Sequence, residues 1–156
     1  MIQRIQTVYM LLCVVAVVLC MCNPVGLFDY QGTSSTLYNL WISRSINGVV
    51  VHEVMPWVAM FAILTFVASL ITIDIFLFKK RALQMRILNF CLILLVLYYV
   101  VGGVFVYMAM HGDVPCDGFR PTIWTAMPFV AVVLGYLAFR GILKDQLLIN
   151  SLDRLR

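Results

Sequence analysis

The stretch VMPWVAMFAILTFVASLITIDIFLF, residues 54–78, decides the fold. It contains one ionisable side chain, Asp74. A helix crosses the hydrocarbon layer of a bilayer with about 20 predominantly apolar residues, and this stretch is long enough. Working outward, Ile87 to Met110 is a second run of spanning length. Val8 to Cys22, extended back through Ile5, and Ile123 to Phe139, extended to Leu143, reach that length with their flanks. The whole chain of 156 residues is 63% hydrophobic and 12% charged, with a mean hydropathy of +1.01. Soluble domains run at roughly 45–50% apolar and about 25% charged. So few charges cannot cover that much apolar surface in water. A soluble enzyme, a disordered chain and a basic nucleic-acid binder are excluded by that composition.

The sequence therefore predicts one membrane domain over residues 1–156. Its spans fall at about 5–24, 54–78, 87–110 and 122–143. Outer loops take 25–53 and 111–121, a cytoplasmic loop 79–86 and a cytoplasmic C-terminal helix 144–156. The first run is read as a retained helix: Val18-Leu19-Cys20-Met21-Cys22-Asn23-Pro24 lacks the Ala-x-Ala pattern of a cleaved signal. Orientation follows from the basic residues. Arg4, Lys79, Lys80, Arg81, Arg86, Arg140, Lys144, Arg154 and Arg156 fall on one side of a four-span chain, and Arg44 and Arg120 on the other. Cytoplasmic segments carry the excess of Lys and Arg, so both termini are expected in the cytoplasm. Trp41, Trp57 and Trp124 sit on or near the opposite face, where aromatic belts form.

The first outer loop has its own pattern. Asp29, Gln31, Gly32, Thr33 and Ser34 read as turn, and Asn47-Gly48 stands between partly alternating apolar runs. Asn-Gly suits a tight type I′ turn, which needs positive φ at both central residues. A small β-hairpin within Leu40–Glu53 is expected, leaning on the membrane surface or a neighbour because an isolated hairpin is marginal in water. The fold class read from sequence is thus all-α, a four-helix transmembrane bundle with one small β-hairpin in the first outer loop.

Three motifs carry a resemblance. Met1-Ile2-Gln3-Arg4-Ile5-Gln6-Thr7 opens the chain, Phe78-Lys79-Lys80-Arg81-Ala82-Leu83-Gln84-Met85-Arg86 stands in its middle, and Arg140-Gly141-Ile142-Leu143-Lys144-Asp145 with Ser151-Leu152-Asp153-Arg154-Leu155-Arg156 closes it. In order and spacing these resemble an uncharacterised family of small four-span bacterial membrane proteins, a domain of unknown function. Ala82 departs from the family, which tends to be polar there. The resemblance covers the whole chain and implies four spans and a bacterial cytoplasmic membrane. It assigns no activity and no catalytic residue.

Candidate chemistry is sparse. Asp74 is an acid inside a span, one turn from its cytoplasmic end. An intramembrane ionisable residue is a functional candidate by default. Two readings stand: a proton-accepting or cation-binding site, or an ion pair with Arg81, Arg86 or Arg140 that fixes packing near the interface, where charge is cheaper. The interfacial depth favours the ion pair. His52, Glu53, His111, Asp113, Cys116 and Asp117 are metal-ligand types on the outer side, but their spacing matches no metal signature. Cys22 and Cys116, or Cys20 and Cys116, offer an outer-face disulfide if that compartment is oxidising. Cys20-x-Cys22, partly lipid-buried, is a weak version of the closely spaced, accessible cysteine pair that thiol redox catalysis needs. Gly102-Gly103, Ala131 and Gly135 suit close helix packing, and Pro128 is expected to kink the fourth helix.

No cofactor, metal, catalytic residue or nucleic acid is expected. The partner expected from composition is the lipid bilayer. Leu148, Leu152 and Leu155 repeat at helical spacing on the C-terminal segment, which suits the inner leaflet or a docked membrane or cytoplasmic protein. The function expected is a non-enzymatic structural or partner-binding component of the bacterial inner membrane. The alternatives are an ion-coupled transporter using Asp74 and, further off, an outer-face thiol or metal protein.

Overall fold

The computed structural model describes residues 2–30, 33–46, 49–54, 57–77, 80–111 and 118–153. Its helices are α1 (Ile2–Cys22), α2 (Val58–Phe76), α3 (Arg81–Met110) and α4 (Met127–Asp153). All four contain segments long and apolar enough to cross a membrane. They are apolar almost all round, the mark of a helix in the core of a large protein or in lipid. Large apolar side chains such as Leu11, Phe66, Ile93, Val100 and Phe129 stand exposed around the bundle.

The buried positions follow one rule in every helix. On α1 they are Gln6, Met10, Cys13, Val17 and Cys20, with Ala16 buried beside Val17; on α2, Met60, Leu64, Val67, Ile71 and Asp74. On α3 they are Gln84, Leu88, Cys91, Leu95, Tyr98 and Gly102, and on α4, Pro128, Ala131, Gly135, Ala138, Ile142 and Asp145. Alternating steps of three and four place each set on one stripe, the spacing of left-handed bundle packing. Small residues bring α4 close to its neighbours. A Cβ at Gly135 would lie 2.9 Å from Leu92 Cδ2, and the Cys13 thiol donates to the Ala131 carbonyl at 3.3 Å. Along α2, Thr65, Ser69 and Thr72 donate to the carbonyls of Phe61, Phe66 and Ala68, so their hydroxyls make no demand on the bundle.

The expectation of an all-α bundle carrying one small hairpin is overturned. Strands β1 (Gly26–Tyr30), β2 (Thr33–Leu37), β3 (Ile42–Ile46), β4 (Val49–Glu53) and β5 (Gly118–Pro121) form a five-stranded antiparallel sheet in the order β4-β3-β2-β1-β5. β3 and β4 pair from Ile46↔Val49 to Ile42↔Glu53, about the Asn47-Gly48 position, which itself lies outside the described residues. They are one part of a larger unit. Residues 29–34, read as turn, belong mostly to β1 and β2, which pair from Tyr30↔Thr33 to Gly26↔Leu37. Serine and threonine there serve a strand whose Ser35 and Leu37 face inward, as Phe28 does on β1. β5 arrives from the segment between α3 and α4 and pairs Gly26↔Pro121 through Asp29↔Gly118. That pairing joins segments far apart in sequence, and no local pattern announces it.

The sheet closes one end of the bundle. Phe28 packs against Phe119 and Trp57 at ring-centroid distances of 4.9 and 6.2 Å, and Trp57 meets Phe105 edge-on at 5.9 Å. Three boundaries also differ from expectation. α3 begins at Arg81, so most of the expected 79–86 loop is helix. α4 runs unbroken through the expected boundary at 143. Pro128 is the second residue of α4, after a 3-10 turn over Ile123–Ala126. A proline in the first turn costs no intrahelical bond, so it opens the helix instead of kinking it.

Candidate functional site

Each of the four stripes carries a polar side chain at the end away from the sheet: Gln6, Asp74, Gln84 and Asp145. Each aspartate is joined to a glutamine, Asp145 through its carboxyl and Asp74 through its main chain. Gln6 Nε2 donates to Asp145 Oδ2 at 2.9 Å, joining α1 to α4. Gln84 Nε2 donates to the Asp74 main-chain carbonyl at 3.3 Å, joining α3 to α2. The same Gln84 amide lies 3.8 Å from Met10 Sδ. Met10 stands one turn beyond Gln6 on the same face of α1, so the pairs are offset by about 6 Å along the bundle. Gly141 makes room for the first pair: a Cβ there would lie 3.1 Å from Gln6 Cγ.

The two acids differ in what they meet. Asp145 accepts the Gln6 amide. Asp74 is 0% exposed, and among the described residues neither of its carboxyl oxygens has a hydrogen-bond partner. Among the described residues the ion pairs are Arg44–Glu53 at 3.6 Å and Arg120–Asp29 at 3.1 Å, both in the sheet. The expected pairing of Asp74 with Arg81, Arg86 or Arg140 is not formed: Arg86 and Arg140 are exposed and Arg81 is half-buried. The stripe spacing turns Asp74 into the bundle, and long basic side chains at a helix end reach for water instead.

Sequence reading found Asp74 because it is an isolated acid in an apolar run. It missed Gln6, Gln84 and Asp145, which lie in the polar flanks. The signal was present: continuing the three-four spacing past each apolar run lands on all three. Those three residues also fall one in each of the opening, middle and closing motifs.

At the sheet end a second buried network ties head to bundle. Asn39, 1% exposed, donates to the Cys20 carbonyl at 2.7 Å and accepts the Tyr98 hydroxyl at 2.8 Å. The Tyr99 hydroxyl donates to the Thr125 carbonyl at 2.7 Å and accepts the Phe129 N–H at 2.9 Å. It thereby caps one of the orphan donors in the first turn of α4. Thr125 Oγ1 and the Thr122 N–H both donate to the Val25 carbonyl.

The other candidates are dispersed. Cys22 is exposed at the sheet end of α1, and Cys116 lies outside the described residues, so the Cys22–Cys116 bridge does too. Cys20 is buried against Tyr98, 3.7 Å from its hydroxyl. His52 packs edge-on to Trp41 on the sheet, while His111 stacks on Tyr107 at the end of α3. Among the described residues no three metal-ligand side chains converge. Lys80, Arg86, Arg140 and Lys144 are exposed around the end away from the sheet; Lys79, Arg154 and Arg156 lie outside the described residues.

Residues 2–155 match a family described as a domain of unknown function, DUF4293. The chain belongs to the DUF4293 family. The match spans all four helices and the sheet, so bundle and head form one family unit. Among curated proteins, no relative matches the chain. Membership in DUF4293 brings no activity with it, and function has to be argued from the polar layer itself.

Proposed function

We propose that this DUF4293 protein is an ion-coupled protein of the bacterial cytoplasmic membrane, with both termini in the cytoplasm, its sheet outside, and Asp74 as the group that takes up a proton or monovalent cation. The supporting observation is the carboxyl of Asp74, fully buried and without a partner among the described residues. A bare carboxylate removed from water costs several kcal/mol. Its charge is therefore neutralised by a basic side chain or by something taken from solution. No described Lys or Arg stands beside it, which supports neutralisation by a species taken from solution. Asp74 lies near the C-terminal end of α2, within reach of the cytoplasmic interface in this orientation.

Dicyclohexylcarbodiimide, an apolar reagent that attaches to protonated carboxyls, tests this in purified protein held in mild detergent. Mass mapping should find the adduct on Asp74, decreasing as pH rises and absent from Asp74→Asn. Suppression by sodium at fixed pH would identify the ligand as a metal cation. Failure to label Asp74 at any pH, while a water-soluble carbodiimide still modifies exposed Glu53, would overturn the proposal.

A second reading has its own observation. β4 is an unpaired sheet edge with Val50 57% exposed and Val51 and Val54 exposed beside it. An apolar edge strand is a template for another chain. It supports the non-enzymatic, partner-binding reading, with the cytoplasmic end of α4 as a further docking element. Replacing Val50 and Val51 by lysine should release a stoichiometric partner retained by the natural chain in mild detergent; unchanged retention would count against the sheet edge.

A further inference from the structure

Between the sheet and the outer half of α3 lies a cavity of about 210 Å³, walled by Val25, Leu37, Met60, Tyr98, Gly103 and Phe119 among others. It adjoins, through Tyr99 and Thr125, a shallow open groove bordered by Ile123 and Phe129. We propose that this cavity binds one hydrocarbon chain of an outer-leaflet phospholipid. The inference rests on the helices lying in a bilayer, and is independent of Asp74.

The wall chemistry selects an apolar occupant. The Tyr98 hydroxyl is given to Asn39, the Tyr99 hydroxyl to the Thr125 carbonyl, and the Thr125 hydroxyl to the Val25 carbonyl. A polar ligand would have to displace these internal bonds. Size selects a chain segment: sites for whole small molecules run to about 300–1,000 Å³, and this one is smaller. Position selects the bilayer as source. The groove that adjoins the cavity at Tyr99 and Thr125 is edged by the exposed Ile123 and Phe129, so it opens on the apolar outer surface of the bundle.

Gly103 adds an independent observation. At its neighbour Gly102 a Cβ would sit 3.0 Å from Met60 Cε, so that position faces a packed side chain. At Gly103 a Cβ would meet nothing within 4 Å. Glycine in a helix interior is unfavourable, and internal packing does not demand it here. Its effect is to leave the cavity open on the α3 side.

The test uses the full chain in phosphatidylethanolamine–phosphatidylglycerol vesicles, with a tracer phospholipid carrying a diazirine midway along one chain. Photolysis and peptide mapping should give adducts on cavity residues Met60, Val106 or Phe119 as well as on Val96 and Val100 of the outer surface. Gly103→Leu and Val106→Phe, each filling the space, should lose the cavity adducts and keep the outer ones. Outer adducts without cavity adducts would overturn the proposal, as would cavity adducts unchanged in both filled variants. Crosslinks from these residues to a second copy of the chain would assign the cavity to self-association instead. Absence of the outer adducts would contradict the spanning reading itself.

Discussion

Asp74 and Asp145 are the same side chain in neighbouring parts of one buried layer, and substitution should separate them. Asp145 holds the Gln6 amide. Asp145→Leu strands that donor, and a buried unsatisfied group costs about 1–3 kcal/mol. The carboxyl of Asp74 has no partner among the described residues to strand. Asp74→Leu removes an unsatisfied group and adds packing, so the thermal midpoint in detergent should hold or rise even as carbodiimide labelling is lost. A fall of several kcal/mol in Asp74→Leu would instead reveal a charge partner. Tyr98→Phe gives a third measurement: it leaves Asn39 Oδ1 without its hydroxyl donor, and should cost about 1–3 kcal/mol by the same accounting. Asp74 was legible in the sequence because charge inside an apolar run stands out. Gln6, Gln84 and Asp145 were not, because a polar residue in a polar flank looks like a helix end until its place on the stripe is counted.

At the scale of elements, the helices were legible and the sheet was not. Long apolar runs need only composition to identify them, since lipid forces every backbone group into a helical bond. The Asn47-Gly48 position marked the pairing of β3 with β4, because a tight turn has local chemistry. β1, β2 and β5 depend on contacts the chain makes with itself at a distance, and β1 alone bridges two separate loops. Gly26 is the residue on which that bridge turns. A Cβ at this position would come within 2.3 Å of the Phe119 ring. Overpacking of this kind costs typically about 1–3 kcal/mol. Gly26→Ala should therefore lower the thermal midpoint and speed amide exchange over β5 while leaving α2 protected. Unchanged exchange at Gly118–Pro121 would show that β5 is held by something other than its packing on β1.

For the whole molecule, the polar layer and the sheet define opposite ends. Gln6 with Asp145 and Gln84 with Asp74 bring the start of α1, the α2–α3 connection and the far half of α4 together at one end. Asn39 with Cys20 and Tyr98 fixes the sheet at the other. The described basic residues divide the same way, and the two arginines of the sheet end are each matched by an acid, Arg44 by Glu53 and Arg120 by Asp29. A chain so divided should insert with its free positive charge inward. The proposed uptake of ions by Asp74 from the cytoplasm requires that orientation. The direct measurement is labelling by a membrane-impermeant maleimide in intact cells, on a background with Cys22 and Cys116 replaced by serine. His52→Cys, on the sheet, should label in intact cells, and Lys144→Cys only after permeabilisation. Labelling of Lys144→Cys in intact cells with His52→Cys protected would invert the molecule and contradict the account.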